Sequence, residues 1–242
     1  MPLGTSRHLD RRRFVCGCCA GAVVAWVPTV ARAADEVVPT SLEPHHHKRL
    51  ENEYLRVIEV LLDPGDSTLF HQHSLDFALV PVQGAELKNE VPNSSQAAVV
   101  RLDTDSVRFS GYQAKPYAHR VTNLSPARMD LLSFEILTPA PGGFGAADRS
   151  GASAYRLEVD NERLRAWRLR LDPGQSAPPV AQSGPGLRVV LAGDRLTEKV
   201  EGAAERDIGL RRGDFAWQPP GATRALANAG TSPVELVEFE LR

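Results

Sequence analysis

Short alternating runs of apolar and polar residues, broken by turn residues, dominate this chain. Ile58, Val60 and Leu62 alternate with Val57, Glu59 and Leu61, and Trp167, Leu169 and Leu171 alternate with Arg168 and Arg170. A period of two with one apolar face marks strands half-buried against a core. Phe77–Val82 and Leu187–Leu191 read as the next strand of each set, and Val99–Leu102, Ser106–Ser110 and Met129–Leu137 continue the series. Both alternating runs end in Asp-Pro-Gly, at Asp63-Pro64-Gly65 and Asp172-Pro173-Gly174. Proline presets one turn dihedral there and glycine accepts the other. No segment carries the 3.6-residue period of a three-turn amphipathic helix. Many short strands between Gly, Pro and Asp turns predict an all-β sandwich or closed barrel.

The same pattern occurs twice. Glu51-Asn52-Glu53-Tyr54-Leu55-Arg56 matches Asp160-Asn161-Glu162-Arg163-Leu164-Arg165 at an offset of 109, which also carries Leu62–Gly65 onto Leu171–Gly174 and Gly84 onto Gly193. After a small gap the offset is 105. Asn123 then falls on Asn228 and Phe134-Glu135 on Phe239-Glu240. Two copies are too few for a solenoid and predict two similar globular modules. The expected organisation is a leader over 1–34, an extended arm over 35–48, a first barrel over 49–138, a Gly/Ala/Ser/Pro-rich linker over 139–154 and a second barrel over 155–242. Two joined barrels would pack as a pseudo-dimer, in a monomer or a homodimer.

Composition narrows the class of protein. Of 242 residues 42% are hydrophobic, enough for a core, and the formal net charge is −2. No basic stripe follows the first residues, so a nucleic-acid partner is not expected. Arg11, Arg12 and Arg13 precede an apolar stretch from Phe14 to Val30, and Ala31-Arg32-Ala33 offers a cleavage site. That arrangement reads as an export signal, and the arginines with Phe14 resemble the twin-arginine variant, although Asp10 stands where Ser or Thr is usual. The apolar stretch is short for a membrane span and Pro28 interrupts it, so stable insertion is not expected. Cys16, Cys18 and Cys19 all lie in the leader. A chain starting near Asp35 would have no thiol chemistry and a balance of 23 basic against 29 acidic residues, which suits a periplasmic or secreted protein.

The chemistry concentrates in histidines of the first copy. His71-Gln72-His73 sits on a predicted strand, where residues two apart share a face. His119 lies at a turn entering a later strand, in Pro116-Tyr117-Ala118-His119-Arg120-Val121-Thr122-Asn123. Three neutral imidazoles converging inside a small barrel suit Fe, Mn, Zn, Cu or Ni. The second copy places Val180, Gln182 and Arg224 at these positions, so the scaffold does not need the histidines in order to fold. His45, His46 and His47 read as a solvated run in the arm, the alternative being that they close over the site or recruit metal. Phe70, Phe77 and Tyr117 are candidate cavity walls. Glu135 and Glu240 recur in both copies and read as structural. Arg224 reads as a surface or strand-pairing residue, with anion binding the alternative.

These motifs resemble those of the cupin superfamily. Gly65, five residues, His71, Gln72, His73 and later Gly84 follow its first motif, and Gly111, Pro116, His119 and Asn123 follow its second. The resemblance covers both repeats and implies two tandem jelly-roll barrels with His71, His73 and His119 as ligands of one divalent transition metal, Fe(II) or Mn(II) before Zn, Ni or Cu. The family's glutamate position falls on Phe77 or Ala78. Asp76, one residue early, is the candidate for a displaced ligand, for a residue that orients a histidine, or for a proton carrier. A three-histidine set without a carboxylate resembles the thiol-, diketone- and gentisate-type dioxygenases of the superfamily, so the expected activity is a metal-dependent dioxygenase acting on a small organic molecule. A non-catalytic small-molecule or metal-binding module and an isomerase or epimerase barrel are the alternatives.

Overall fold

The computed structural model describes residues 35–138 and 142–242. The expected leader lies outside the described residues. No described helix is long and apolar enough to cross a membrane.

The first barrel is built from β1 (Val38–Pro39), β2 (His46–Glu51), β3 (Leu55–Leu62), β4 (His71–His73), β5 (Phe77–Gln83), β6 (Ala85–Glu90), β7 (Ala97–Leu102), β8 (Arg108–Ser110), β9 (Tyr117–Asn123) and β10 (Met129–Ile136). They form two sheets, in the orders β1-β4-β9-β6-β7 and β2-β3-β10-β5-β8. The second comprises β11 (Tyr155–Asp160), β12 (Leu164–Leu171), β13 (Val180–Gln182), β14 (Gly186–Ala192), β15 (Arg195–Val200), β16 (Arg206–Gly209), β17 (Phe215–Gln218), β18 (Ala222–Asn228) and β19 (Val234–Leu241). Its sheets run β11-β12-β19-β14-β17 and β13-β18-β15-β16. The protein is therefore all-β, two jelly-roll barrels in tandem.

The repeat extends to atomic detail. His71 pairs with His119 across β4 and β9, as Val180 pairs with Arg224 across β13 and β18. The Asn52 side chain accepts the backbone N–H of Tyr54 and Leu55, and Asn161 accepts those of Arg163 and Leu164. Gly65 and Gly174 take φ of +84° and +77°, the left-handed conformation their turns require. Asn123 is buried and its Nδ2 donates to the carbonyls of Leu62 and Ala127, while Asn228 does the same to Leu171 and Ser232. These amides tie the β9 and β18 ends to the turns beside them. Asn123→Ala and Asn228→Ala should each cost about 1–3 kcal/mol by stranding buried carbonyls. Urea denaturation checks this, and equal costs are expected because the environments match.

Two segments that the sequence reading sets outside the barrels bear on function. Residues 35–48 are extended but not a loose arm. Val38 and Pro39 pair in parallel with His71 and Gln72, and His46–Glu51 forms strand β2, the counterpart of β11. The segment 142–154 is likewise no slack tether: Arg149 is only 3% exposed and is ion-paired to Glu238 and Glu240 inside the second barrel. β8 begins at Arg108 rather than Ser106, because Asp105 adopts φ of +64° and Ser106 closes a turn onto the Asp103 carbonyl.

The barrels share one core. Leu55, Val57, Val80 and Phe134 of the first pack with Leu164, Leu187, Val189 and Phe239 of the second, and the Phe134 and Phe239 rings meet edge to face at 5.0 Å. This is how the alternating β3 and β12 faces satisfy their apolar positions: one face turns to its own barrel and the other to the neighbour.

Candidate metal centre

His71 and His73 project from one face of the three-residue strand β4, and His119 enters from the adjacent β9. Their ligand nitrogens all lie within 4.8 Å of one another. The strand pairing that opposes His71 to His119 brings together residues 48 positions apart.

Hydrogen bonds set the tautomers. His71 Nδ1 donates to the Leu69 carbonyl at 3.0 Å and His119 Nδ1 to Asn89 Oδ1 at 2.7 Å. Each leaves Nε2 as the lone pair, and such outer partners are what metal-ligating histidines require. His73 Nε2 and His119 Nε2 stand 3.2 Å apart, a spacing that two nitrogens sharing one ion at about 2.1 Å can have. The donor set thus fits one divalent transition metal held by three imidazoles.

Burial keeps these rings neutral. His73 and His119 are pushed down to about 3, chiefly by desolvation and then by neighbouring histidines, and burial lowers His71 as well. An unfolded histidine takes up its proton near pH 6.5, whereas the folded metal-free site resists protonation until far lower. The unfolded state therefore binds more protons throughout that interval, and stability must fall as pH falls. The metal-free protein should lose stability between pH 6.5 and 5, above the range in which an unperturbed carboxylate titrates. Thermal melts across that range check this; a flat profile would contradict the buried neutral rings.

The triad lies at the wall of a cavity of about 280 Å³. Ile58, Val60, Leu79, Leu87, Val121 and Met129 make much of it apolar, with Phe77, Tyr112 and Tyr117 beside the histidines. The cavity also holds two residues that the sequence reading sets elsewhere, a cover over the site being the alternative for the His45–His47 run. His46 is buried against the triad, its ring 4.7 Å from that of His71 and its Nδ1 donating to the Thr40 carbonyl. Burial lowers it to about 3, so it offers a lone pair rather than a charge. Glu135, expected to be structural, reaches the same cavity; burial raises its pKa against the pull of Arg56, 2.8 Å away. Carrying the 109 offset back to Tyr155, which begins a strand, was the signal that could have drawn attention to His46. His45 turns away, its Nδ1 donating to the Leu61 carbonyl.

Asp76 is not in this cavity. Its carboxylate lies 2.9 Å from Arg163 of the second repeat and accepts the Gln113 backbone N–H. It ties the two repeats together and does not stand among the three histidines as a further ligand. Phe70 also leaves the cavity wall, packing beneath the Arg120 guanidinium at 4.5 Å.

The second barrel is closed at the corresponding place. Arg224 is buried, not on the surface, and donates to Gln182 Oε1 and the Pro219 carbonyl. Arg149, Arg188, Tyr155 and Glu238 fill the rest, leaving a void of about 10 Å³, too small for more than one water.

No protein-family model matches the chain, and no curated protein matches it in sequence. Solved structures do match in shape. The oxalate decarboxylase of Lactobacillus farciminis in complex with formate aligns with TM-score 0.57 at 12% identity, over 81% of this chain and 83% of that one. A salicylate 1,2-dioxygenase from Pseudaminobacter salicylatoxidans gives 0.55 at 15%, over 78% and 71%. A cupin 2 conserved barrel domain protein from Leptotrichia buccalis gives 0.52 at 10%, over 81% and 88%. At these identities the likeness speaks for the fold alone, and with the duplicated strand register and the histidine triad it establishes the architecture: this chain is a double-barrelled protein of the cupin fold, with a three-histidine site fit for a divalent metal in its first barrel.

Proposed function

We propose that this protein is an exported, metal-dependent oxygenase acting on a small organic molecule in the first barrel. The observation that carries the reading is the donor set: three neutral imidazoles, no carboxylate among them, at the wall of a largely apolar cavity. A divalent metal held there would keep its full positive charge and open positions, and so supply a Lewis-acidic centre where dioxygen and an organic ligand can meet. His71, His73 and His119 hold the ion. The Leu69 carbonyl and Asn89 fix two of these rings, and much of the cavity wall is aliphatic. Glu135 takes the part first given to Asp76, as a carboxyl lining the cavity whose protonated form burial favours and Arg56 opposes.

Oxygen uptake by the anaerobically reconstituted Fe(II) protein, screened against small organic acids, enols and thiols, tests the proposal. Substrate-dependent uptake that disappears on Zn(II) substitution is the expected result. Ligand binding without uptake would instead favour a non-catalytic binding module, a reading consistent with a second barrel that has Val180, Gln182 and Arg224 in place of the histidines. Export rests on Arg11–Arg13, the apolar stretch to Val30 and Ala31-Arg32-Ala33. Secretion of a chain beginning near Asp35, read by N-terminal sequencing, is the expected outcome; retention of the leader in cytosolic protein would contradict it.

A further inference from the structure

Aromatic rings form a closed circuit beside the triad. His73 stacks on Phe77 at 4.8 Å, Phe77 meets Tyr112 at 5.6 Å, Tyr112 stacks on Tyr117 at 5.3 Å, Tyr117 lies 5.0 Å from His119, and His119 returns to His73 at 5.2 Å. One polar chain crosses this wall. His119 Nδ1 is 2.7 Å from Asn89 Oδ1, and Asn89 Nδ2 is 2.8 Å from the Tyr117 hydroxyl.

Chemistry fixes the direction of that chain. An imidazole that gives its Nε2 lone pair to an ion keeps its proton on Nδ1. His119 therefore donates to the amide oxygen of Asn89, which leaves the amide nitrogen to donate to Tyr117. The phenol accepts at that contact, so its own hydrogen has to be given elsewhere. Among the described residues nothing accepts it, and Tyr117 lines the cavity. Arg108 lines the same cavity without a carboxylate partner among the described residues; its Nη2 donates to the Arg101 carbonyl.

We infer that Tyr117 donates a hydrogen bond to an oxygen acceptor on the molecule bound in the cavity, and that Asn89 is the positioning residue that commits its proton to that use. The inference rests on the metal reading, because the ion is what fixes the His119 tautomer. It specifies the ligand beyond its metal-binding atoms. A carbonyl or carboxylate oxygen facing Tyr117 is accepted, and an N–H there, which has no lone pair to offer, is rejected because it would leave two donors opposed. Arg108 turns the preference toward an anion.

Benzoate, planar and acceptor-only, is the probe, titrated into the Co(II)-loaded protein and followed by calorimetry and the visible Co(II) spectrum. Tyr117→Phe removes the donor. Asn89→Asp still accepts from His119 Nδ1 but also accepts the Tyr117 proton and withdraws it from the cavity. Each should weaken benzoate about tenfold, the worth of one such bond; Co(II) content should be unchanged in Tyr117→Phe, and the Asn89→Asp affinity is taken per Co(II) bound because Asn89 contacts a ligand ring. The double variant should bind no worse than either single one, because both remove the same bond. Unchanged affinity in Tyr117→Phe, additive losses in the double variant, or no binding of benzoate by the loaded parent would overturn the inference while the metal site stands. A parent that takes up no Co(II) would overturn the metal reading and this inference together.

Discussion

Replacing His73 with alanine should strip the first barrel of its metal and leave both barrels folded. His73 supplies one of three imidazoles, and its Nε2 is the atom that faces His119 across 3.2 Å. With two ligands remaining, the site has too few donors for a retained ion, so metal content should fall from near one equivalent per chain to almost none. The fold should survive, because the second barrel keeps the same strand register with Gln182 at the corresponding position. The lost ring also gave up its stack on Phe77 at 4.8 Å, so a modest loss of stability accompanies the loss of metal. Elemental analysis beside far-ultraviolet circular dichroism reads both. A folded His73→Ala protein holding as much metal as the parent would mean that other residues hold the ion.

Glu238→Ala should have the largest effect on stability. Glu238 is buried on β19, where Arg188 Nε lies 2.8 Å from it and Arg149 and the Tyr155 hydroxyl also donate to it. Arg188 in turn pairs with Glu198 at 2.9 Å. The two arginines hold the Glu238 carboxyl below its ordinary value, against the opposing effect of its burial. Removing one partner of a buried ion pair costs about 3–5 kcal/mol, mostly because the remaining charges stay buried and uncompensated. In a domain of this size that is a fall of roughly 10 °C in melting temperature. Metal content should not change, since the network belongs to the barrel without a site. A melting temperature within a degree or two of the parent would show that water reaches these arginines.

Much of this was legible in the chain. The offsets of 109 and 105 are the offsets at which β3 meets β12, β4 meets β13, β9 meets β18 and β10 meets β19. Period-two patterning survived because each of these strands has faces with different surroundings. His71 and His73 were legible because strand geometry alone puts residues two apart on one side, and His119 because Asn123 marked the same strand in both copies. The misses have a common cause: burial and pairing set by distant residues. His46 sits in the polar run His45-His46-His47, and only the pairing of β2 with β3 and the fold of residues 38–43 over β4 bury it. Asp76 stood beside the expected glutamate position, but its partner Arg163 comes from the other repeat. Arg224 seemed too polar for a barrel interior until Gln182 and the Pro219 carbonyl supplied its acceptors. Glu135 and Glu240 occupy the same place in the repeat yet differ in use. Glu240 accepts the backbone N–H groups of Ser183 and Gly184 and pairs with Arg149, whereas Glu135 faces the open cavity.

The central claim is that the first barrel holds one metal through His71, His73 and His119 and the second holds none. Metal stoichiometry of the untagged chain from Asp35, beside the His71→Ala/His73→Ala variant, tests it most directly, each protein being measured as isolated and after anaerobic loading with Fe(II). One transition metal per chain in the parent and none in the variant is the result this account predicts. No metal in the loaded parent, or equal metal in both proteins, would contradict it.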